Sequence, residues 1–479
     1  MADIGVVAGL RVLVVGLGRE GSALATYLAQ RGVAVTVTDL QPEAQLGQMA
    51  ANLKAAGVSL VLGEHPNWLL DQTDLLFVSP GVPLEVPFLA QARQKKLPFS
   101  TESRLFCHLC PARLVAITGS SGKTTTTTLT GKMLEAGGQK TWVGGNIGRP
   151  LIQVVDDISP QDVVVMELSS FQLEYFHARL NEHAVIPAQL QPLLASFSPP
   201  VSALLNITPN HLDRHPSMKH YVHAKRALVD YQGPNDVAVM GLDNDMTRTI
   251  GHQFGQRVRW FSLEAQIPGG AGLYKNSLAF FDATGRPEPI VNVAEVKLRG
   301  RHNQANILAA SLLAREAGAT VEAMRQVATT FAGVEHRLQL VRVVNNVSYF
   351  NDSISTSPER LTAALRSFSE PIVLLAGGKD KHLPWEDAVR LMRNVTRDII
   401  LFGHAAQLIY EVIERVTKRE TGRAPNVHRC ETLEEAVQLA AKMAQPGDVV
   451  LLSPGCASFD QFSSYTQRGE RFAELVNQL

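Results

Sequence analysis

The chain has 479 residues, 45 of them basic and 45 acidic, for a formal net charge of zero; at about 150 residues per domain this length accommodates roughly three cores. The even balance and the lack of like-charged blocks exclude a strong electrostatic claim on nucleic acid or an anionic membrane. No apolar run reaches the length of a spanning helix, and Met1-Ala2-Asp3 leads almost directly into a strand-like run, so a cytosolic chain without a signal peptide is expected.

Leu10 to Val15 is an apolar strand running into Gly16-Leu17-Gly18-Arg19-Glu20-Gly21 and the helical stretch Ser22 to Gln30. A second strand, Val33 to Thr38, ends in Asp39, which completes a βαβ unit with GxGxxG and an acidic residue. Such a unit binds NAD, a nucleotide sugar or another diphosphate on the first helix N-terminus. Leu75 to Ser79 then breaks at Pro80-Gly81-Val82-Pro83, either a ligand loop at a strand's carboxyl end or a plain proline turn. Cys107 and Cys110 form a CxxC without a second pair, and read as free thiols.

The chain is organised around Leu114 to Thr130. A strand-type run, Leu114 to Ile117, is followed by Thr118-Gly119-Ser120-Ser121-Gly122-Lys123-Thr124 and by a helix-period stretch through Leu129 and Met133. A glycine loop between strand and helix turns backbone amides toward phosphate oxygens, with a lysine as mobile cation and a threonine hydroxyl within reach of magnesium. Asp162 to Met166 is a buried strand ending in Glu167, a carboxylate placed to hold magnesium; an N-cap cluster with Ser169 and Ser170 is the alternative. Ala203 to Ile207 leads to His211 and Asp213, a pair that suits a metal or a structural role, and the helical segment Tyr221 to Tyr231 carries Lys225. Asn303 and Asn306 share one helix face. After a hinge at Val334 to Arg337, strands and helices alternate again as in a doubly wound sheet, with Asn351 to Ser353, Gly377 to Lys381 and Ser453 to Asp460 in loops after strands.

As a set, these motifs resemble the Mur ligases. GSSGKTTT, GGNIG, ELSSFQLE, the NxTxxHxDR stretch from Asn206, HNxxN, EHR, NDS, GGKDK and SPGCASFDQF run in family order over nearly the whole chain. The resemblance implies an α/β protein of three domains: a Rossmann-like domain at 1–103 for the UDP moiety, a central phosphate-loop ATPase with a mainly parallel sheet at 104–332, and a C-terminal doubly wound α/β domain at 333–479 for the incoming amino acid. It implies an ATP-dependent amide ligase of peptidoglycan precursor synthesis. The stretch Glu167 to Leu173 is similar to the branch that adds D-glutamate to UDP-N-acetylmuramoyl-L-alanine, and no DNPR run marks the diaminoacid branch.

Carried over by position, the resemblance implies that Gly119, Ser120, Ser121, Gly122, Lys123, Thr124 and Thr125 hold the ATP phosphates. Thr124 and Glu167 would bind one magnesium ion, and His211 with Lys225, carried as a carbamate, a second; Lys123, Glu167, His211 and Lys225 are then the catalytic set. Asn303, Asn306, His336, Arg337 and Asp352 fall at ATP positions, and Lys381, Ser458 and Phe459 at D-glutamate positions. Leu17, Gly18 and Asp39 would face UDP, and Asn146 and Gln172 the muramoyl portion. A monomer is expected. Two departures stand out: Ile354 replaces a lysine common in the family, with Lys379 or Lys381 as substitutes, and Ala184 to Pro200 resembles an insertion. A folylpolyglutamate-type ligase would lack the GxGxxG domain, and an NAD-dependent oxidoreductase would leave the phosphate loop without a purpose.

Overall fold

The computed structural model describes residues 4–211, 214–381 and 383–479. The chain divides into two compact units, Met1–Val296 with Arg301–Thr329, and Lys297–Gly300 with Thr330–Leu479.

The first unit contains two sheets. The N-terminal one holds β1 (Arg11–Val15), β2 (Ala34–Asp39), β3 (Ser59–Leu62), β4 (Leu75–Val78) and β5 (Phe99–Ser100) in the order β3-β2-β1-β4-β5, all parallel. β1 and β4 are buried along nearly their whole length, which is why both read as unbroken apolar runs. The helix Arg19–Ala29 follows β1 directly, because Gly16 at φ 93° makes the turn and Gly21 lets the helix close on it; a Cβ at Gly21 would stand 2.2 Å from the Gly16 carbonyl oxygen.

The second sheet of this unit runs β14-β13-β12-β11-β10-β9-β6-β8-β7. Its parallel part comprises β6 (Arg113–Thr118), β7 (Thr141–Gly145), β8 (Val163–Glu167), β9 (Val201–Leu204), β10 (Val237–Gly241) and β11 (Val258–Ser262), with β12 (Ala271–Tyr274) alongside β11; β13 (Ser277–Phe281) and β14 (Pro287–Asn292) are added antiparallel. Val14, Leu24 and Leu28 share one apolar core with Phe106, Ile152 and Val155, so the two sheets behave as one unit. The segment Ala184 to Pro200 adds to that join. Its short helical turns bury Leu190, Leu193 and Leu194, Gln189 donates to the Ala8 carbonyl at 3.2 Å, and the Ala195 carbonyl accepts from Arg104 at 2.7 Å.

The second unit has the order β15-β16-β20-β17-β18-β19, from β15 (Gln339–Val344), β16 (Val347–Asn351), β17 (Ile372–Gly377), β18 (Thr396–Phe402), β19 (Asn426–Arg429) and β20 (Val449–Gly455). Among the strand pairs of this sheet in the described residues, β15–β16 is antiparallel and the others are parallel. β17 and β20 are wholly buried and central, with an apolar core on each face.

Candidate active site

The phosphate loop joins β6 to the helix Lys123–Ala136. Gly122 precedes the helix at φ 82°, and a Cβ there would lie 2.3 Å from Asn306 Oδ1, so this position admits only glycine without rearrangement. Asn206 clamps the loop from β9's end: its Oδ1 accepts from the Ser121 amide at 2.9 Å, and its amide donates back to the Ser121 carbonyl at 3.2 Å. The Ser120 hydroxyl lies 2.9 Å from the Tyr221 hydroxyl and donates to the Thr208 carbonyl at 3.0 Å. The Lys123 ammonium donates to the Gly119 carbonyl at 2.9 Å, folded over the loop it serves.

Strand register places the acid. Glu167 is the last residue of β8, paired with Ile117 on one side and Gly145 on the other, so its carboxylate stands beside the loop leaving β6. Thr124 Oγ1 donates to Glu167 Oε2 at 2.8 Å, and Asn146 Nδ2 to Glu167 Oε1 at 2.8 Å. The N-cap of the following turn is Ser169, which forms a capping box with Gln172, and Glu167 takes no part in that box. Asn306 donates to Asn303 Oδ1 at 3.1 Å, and Thr126 lies 3.4 Å from Asn306 Oδ1, so both asparagines stand against the phosphate-loop helix. Thr125 is buried in that helix.

Lys225 is 1% exposed, with its amine donating to Thr118 Oγ1 at 3.1 Å and to the Gly119 carbonyl at 3.0 Å. Burial, reinforced by the Lys123 charge and only partly opposed by Glu167, holds the amine well below the usual lysine range. His211 has a φ of 55°, and its ring meets Phe171 edge-on at 5.1 Å. Asp213, weighed with it as a metal pair, lies outside the described residues.

In the N-terminal sheet, Asp39 accepts the Leu17 amide at 2.5 Å and the Gln41 amide at 2.8 Å, so the acid shapes the glycine turn. Gly18 opens onto free space, with nothing within 4 Å of where its Cβ would stand. Arg214 reaches the turn after β4, donating to the Gly81 carbonyl at 2.9 Å and the Pro80 carbonyl at 3.2 Å. Gln172 is placed in the interior rather than at a surface. It donates to Glu20 Oε1 and Ser103 Oγ at 2.9 Å each, and accepts from the Ser169 amide at 2.9 Å, anchoring the turn after β8. Burial pushes Glu20 up to about 7 and Glu102 up to about 8, the latter raised further by Glu20. Isolated glutamates in a sequence carry no sign of such a pair. Cys107 and Cys110 are free thiols.

In the second unit, His336 (φ 61°) lies with Nδ1 3.1 Å from Asn351 Nδ2, and Arg337 is next to it in the same turn. Asp352 is buried, accepting from the Leu338 amide at 3.2 Å and Ser453 Oγ at 2.8 Å, and burial pushes it up to about 6. Lys381 donates to Thr356 Oγ1 at 3.0 Å, Ser458 is buried, and Phe459 is 67% exposed. Arg360 donates to the Ile354 carbonyl at 3.2 Å, which brings a cation to the turn where Ile354 itself has none. Sequence reasoning missed Arg468. This fully buried guanidinium binds the Ser353, Cys456 and Ala457 carbonyls and Ser353 Oγ, tying the loops after β16 and β20 together.

A strand, a glycine loop, a helix and a neighbouring strand-end carboxylate that meets the loop's threonine define a phosphate-loop nucleotide-binding protein of the α/β class. Three family models match in succession: "Mur ligase MurD-like, N-terminal domain" over residues 10–100, "Mur ligase middle domain" over 117–314 and "Mur ligase, glutamate ligase domain" over 336–456. The chain belongs to the Mur ligase family. It is 42% identical over 471 residues to the UDP-N-acetylmuramoylalanine--D-glutamate ligase of Symbiobacterium thermophilum, covering 98% of each chain. It is 40% identical to the enzyme of that name from Koribacter versatilis, over 99% of this chain and 98% of that one. Among solved structures, it is similar to the UDP-N-acetylmuramate-alanine ligase of Thermotoga maritima (TM-score 0.59, 18% identity, 98% of this chain and 99% of that one). It is also similar to the MurF ligase of the same organism in complex with ADP (TM-score 0.55, 17% identity, 99% and 98%). At these identities the two structures share the fold alone.

Proposed function

We propose that the chain is an ATP-dependent ligase that joins D-glutamate to UDP-N-acetylmuramoyl-L-alanine through an acyl phosphate, acting as a cytoplasmic monomer in peptidoglycan precursor synthesis. The observation that carries this reading is the meeting of Thr124 and Glu167 at the head of the phosphate-loop helix, with the buried Lys225 amine on the same loop, in a chain colinear with enzymes named for that reaction.

The donor set fits a hard ion. Thr124 Oγ1 and Glu167 Oε2 are 2.8 Å apart, close to the separation of two adjacent oxygens at about 2.0–2.1 Å from one magnesium. Thr124 and Glu167 would hold one magnesium ion, and His211 and Lys225 the other; magnesium supplies neutralisation of phosphate charge when bound. An amine does not suit a hard cation, but a carbamate does. Burial disfavours the Lys225 ammonium and so favours the neutral amine, the form that adds through nitrogen to the carbon of CO2, losing one proton and becoming an anion.

A carboxylate is a poor electrophile, so the substrate's alanyl carboxylate oxygen first attacks the ATP γ-phosphorus, and ADP leaves. Loop amides from Gly119 to Thr125 orient the phosphates, and Lys123 offsets the charge that builds on the transferring group. The D-glutamate amine then attacks the acyl carbon, expels phosphate and gives up a proton. In the first unit, Asn303 and Asn306 are assigned to ATP, Leu17, Gly18 and Asp39 to UDP, and Asn146 and Gln172 to the muramoyl portion. In the second unit, His336, Arg337 and Asp352 are assigned to ATP, and Lys381, Ser458 and Phe459 to D-glutamate.

The test is phosphate release with ATP, magnesium and UDP-N-acetylmuramoyl-L-alanine, with D-glutamate compared against L-glutamate, L-lysine, diaminopimelate and D-alanyl-D-alanine. Release that depends on D-glutamate alone is expected. Release with another acceptor overturns the D-glutamate assignment, and release with none overturns the acyl substrate.

A further inference from the structure

Glu174, His215 and His220 form a cluster that shares no residue with the magnesium positions. Glu174 follows the helical turn Ser170–Leu173, His215 lies just before the helix Met218–Arg226, and His220 is in that helix's first turn. Glu174 Oε1 is 3.0 Å from His215 Nδ1 and 3.6 Å from His220 Nδ1, and the two Nδ1 atoms are 3.1 Å apart. Donors at about 2.0–2.1 Å around a tetrahedral zinc-class ion stand roughly 3.3 Å from one another. The triangle therefore has the size of one tetrahedral face.

The chemistry of the donors agrees with the spacing. His215 Nε2 lies 2.9 Å from Ser170 Oγ; donation of the Nε2 proton there leaves the Nδ1 lone pair directed at the cluster. Two imidazole lone pairs and a carboxylate that converge in this way repel unless a proton or a cation lies among them. The stacked pair His177 and His223 offers a contrast. Both ring nitrogens of His177 are engaged, one with the Tyr231 hydroxyl and one with the His223 carbonyl, and no carboxylate joins them among the described residues. Two imidazoles with one carboxylate suit zinc and its neighbours, whereas magnesium requires oxygen donors.

We propose that Glu174, His215 and His220 bind a divalent transition ion of the zinc class, and that this ion steadies the ring stack beside the active site. His215 stacks on Phe171 at 5.2 Å and 14°, and Phe171 in turn meets His211 at 5.1 Å. The ion reaches the reaction only through these rings, so its residues are positioning residues. Its binding does not depend on the ligase reading.

The experiment titrates the metal-stripped full chain with Co2+ alone as probe, in excess Mg2+, following visible d–d absorption and stoichiometry. One equivalent with a tetrahedral spectrum, not displaced by Mg2+, is expected. Loss of a ligand is expected to weaken binding by roughly 100-fold or more in His220→Ala and in Glu174→Gln, while His223→Ala and His211→Ala keep the equivalent. His220 is on an exposed helix turn, and His220→Asn serves if the alanine variant does not fold by circular dichroism. No bound Co2+, displacement by Mg2+, unchanged binding in His220→Ala or Glu174→Gln, or loss in His211→Ala each overturns the proposal.

Discussion

Thr124 Oγ1 donates to Glu167 Oε2 at 2.8 Å across 43 residues of sequence, and the register of β8 against β6 is what makes that contact. Thr124→Val removes the hydroxyl while nearly conserving volume, and Glu167→Gln removes the charge. Each is expected to lower kcat for phosphate release by about 10²–10³-fold with little change in melting temperature. Steady-state kinetics beside a thermal melt separates this from a folding defect.

Lys225→Ala is expected to lower turnover at least as strongly, since it deletes the nitrogen that would carry the carbamate. Depletion of CO2 should depress the parent enzyme in the same direction. Labelling with 13C-bicarbonate should give a carbamate carbonyl resonance in the parent and none in Lys225→Ala; full activity of the alanine variant would remove the role.

Gly122→Ala places a methyl 2.3 Å from Asn306 Oδ1 at a left-handed φ of 82°. The strain alone is about 1–2 kcal/mol, and the loop must open to relieve it. ATP binding by calorimetry should fall much further than stability does. Gly18→Ala, with open space at its Cβ and extended backbone, should leave ATP binding unchanged.

Burial pushes the Glu20 and Glu102 carboxyls up to about 7 and about 8 in the folded protein, against an ordinary value of 4.5. The folded protein therefore holds protons that the unfolded chain has released. The pair's contribution to stability is full below about pH 4.5 and is lost as pH rises through about 7 to 8. Glu102→Gln keeps an acceptor for the Ile152 amide and cannot ionise. Its melting temperature should match the parent's near pH 5 and exceed it above about pH 8, and parallel curves across this range would refute the paired burial.

Arg468→Lys should destabilise the second unit by about 3–5 kcal/mol, because a lysine reaches at most one or two of the oxygens that the guanidinium satisfies. Urea denaturation followed by tryptophan fluorescence, with Trp68, Trp142 and Trp260 replaced by Phe so that Trp385, buried in that unit, is the reporter, reads this.

Local residue pattern was enough to define the elements and their class. Alternation of apolar strands with helix-period stretches specified parallel α/β layers, and the glycines at 16, 21, 119 and 122 specified where a backbone must turn sharply or approach closely. These are local properties, written in adjacent residues. Which side chains meet was set by the folding of distant segments together. The partnership of Glu167 with Thr124 and Asn146, the burial that depresses Lys225, the inward turn of Gln172 onto Glu20, and the convergence of Glu174, His215 and His220 all depend on strand register and helix packing between distant segments. A one-dimensional pattern records the periodicity of each segment, whereas desolvation and hydrogen bonding are set by what the fold brings against it.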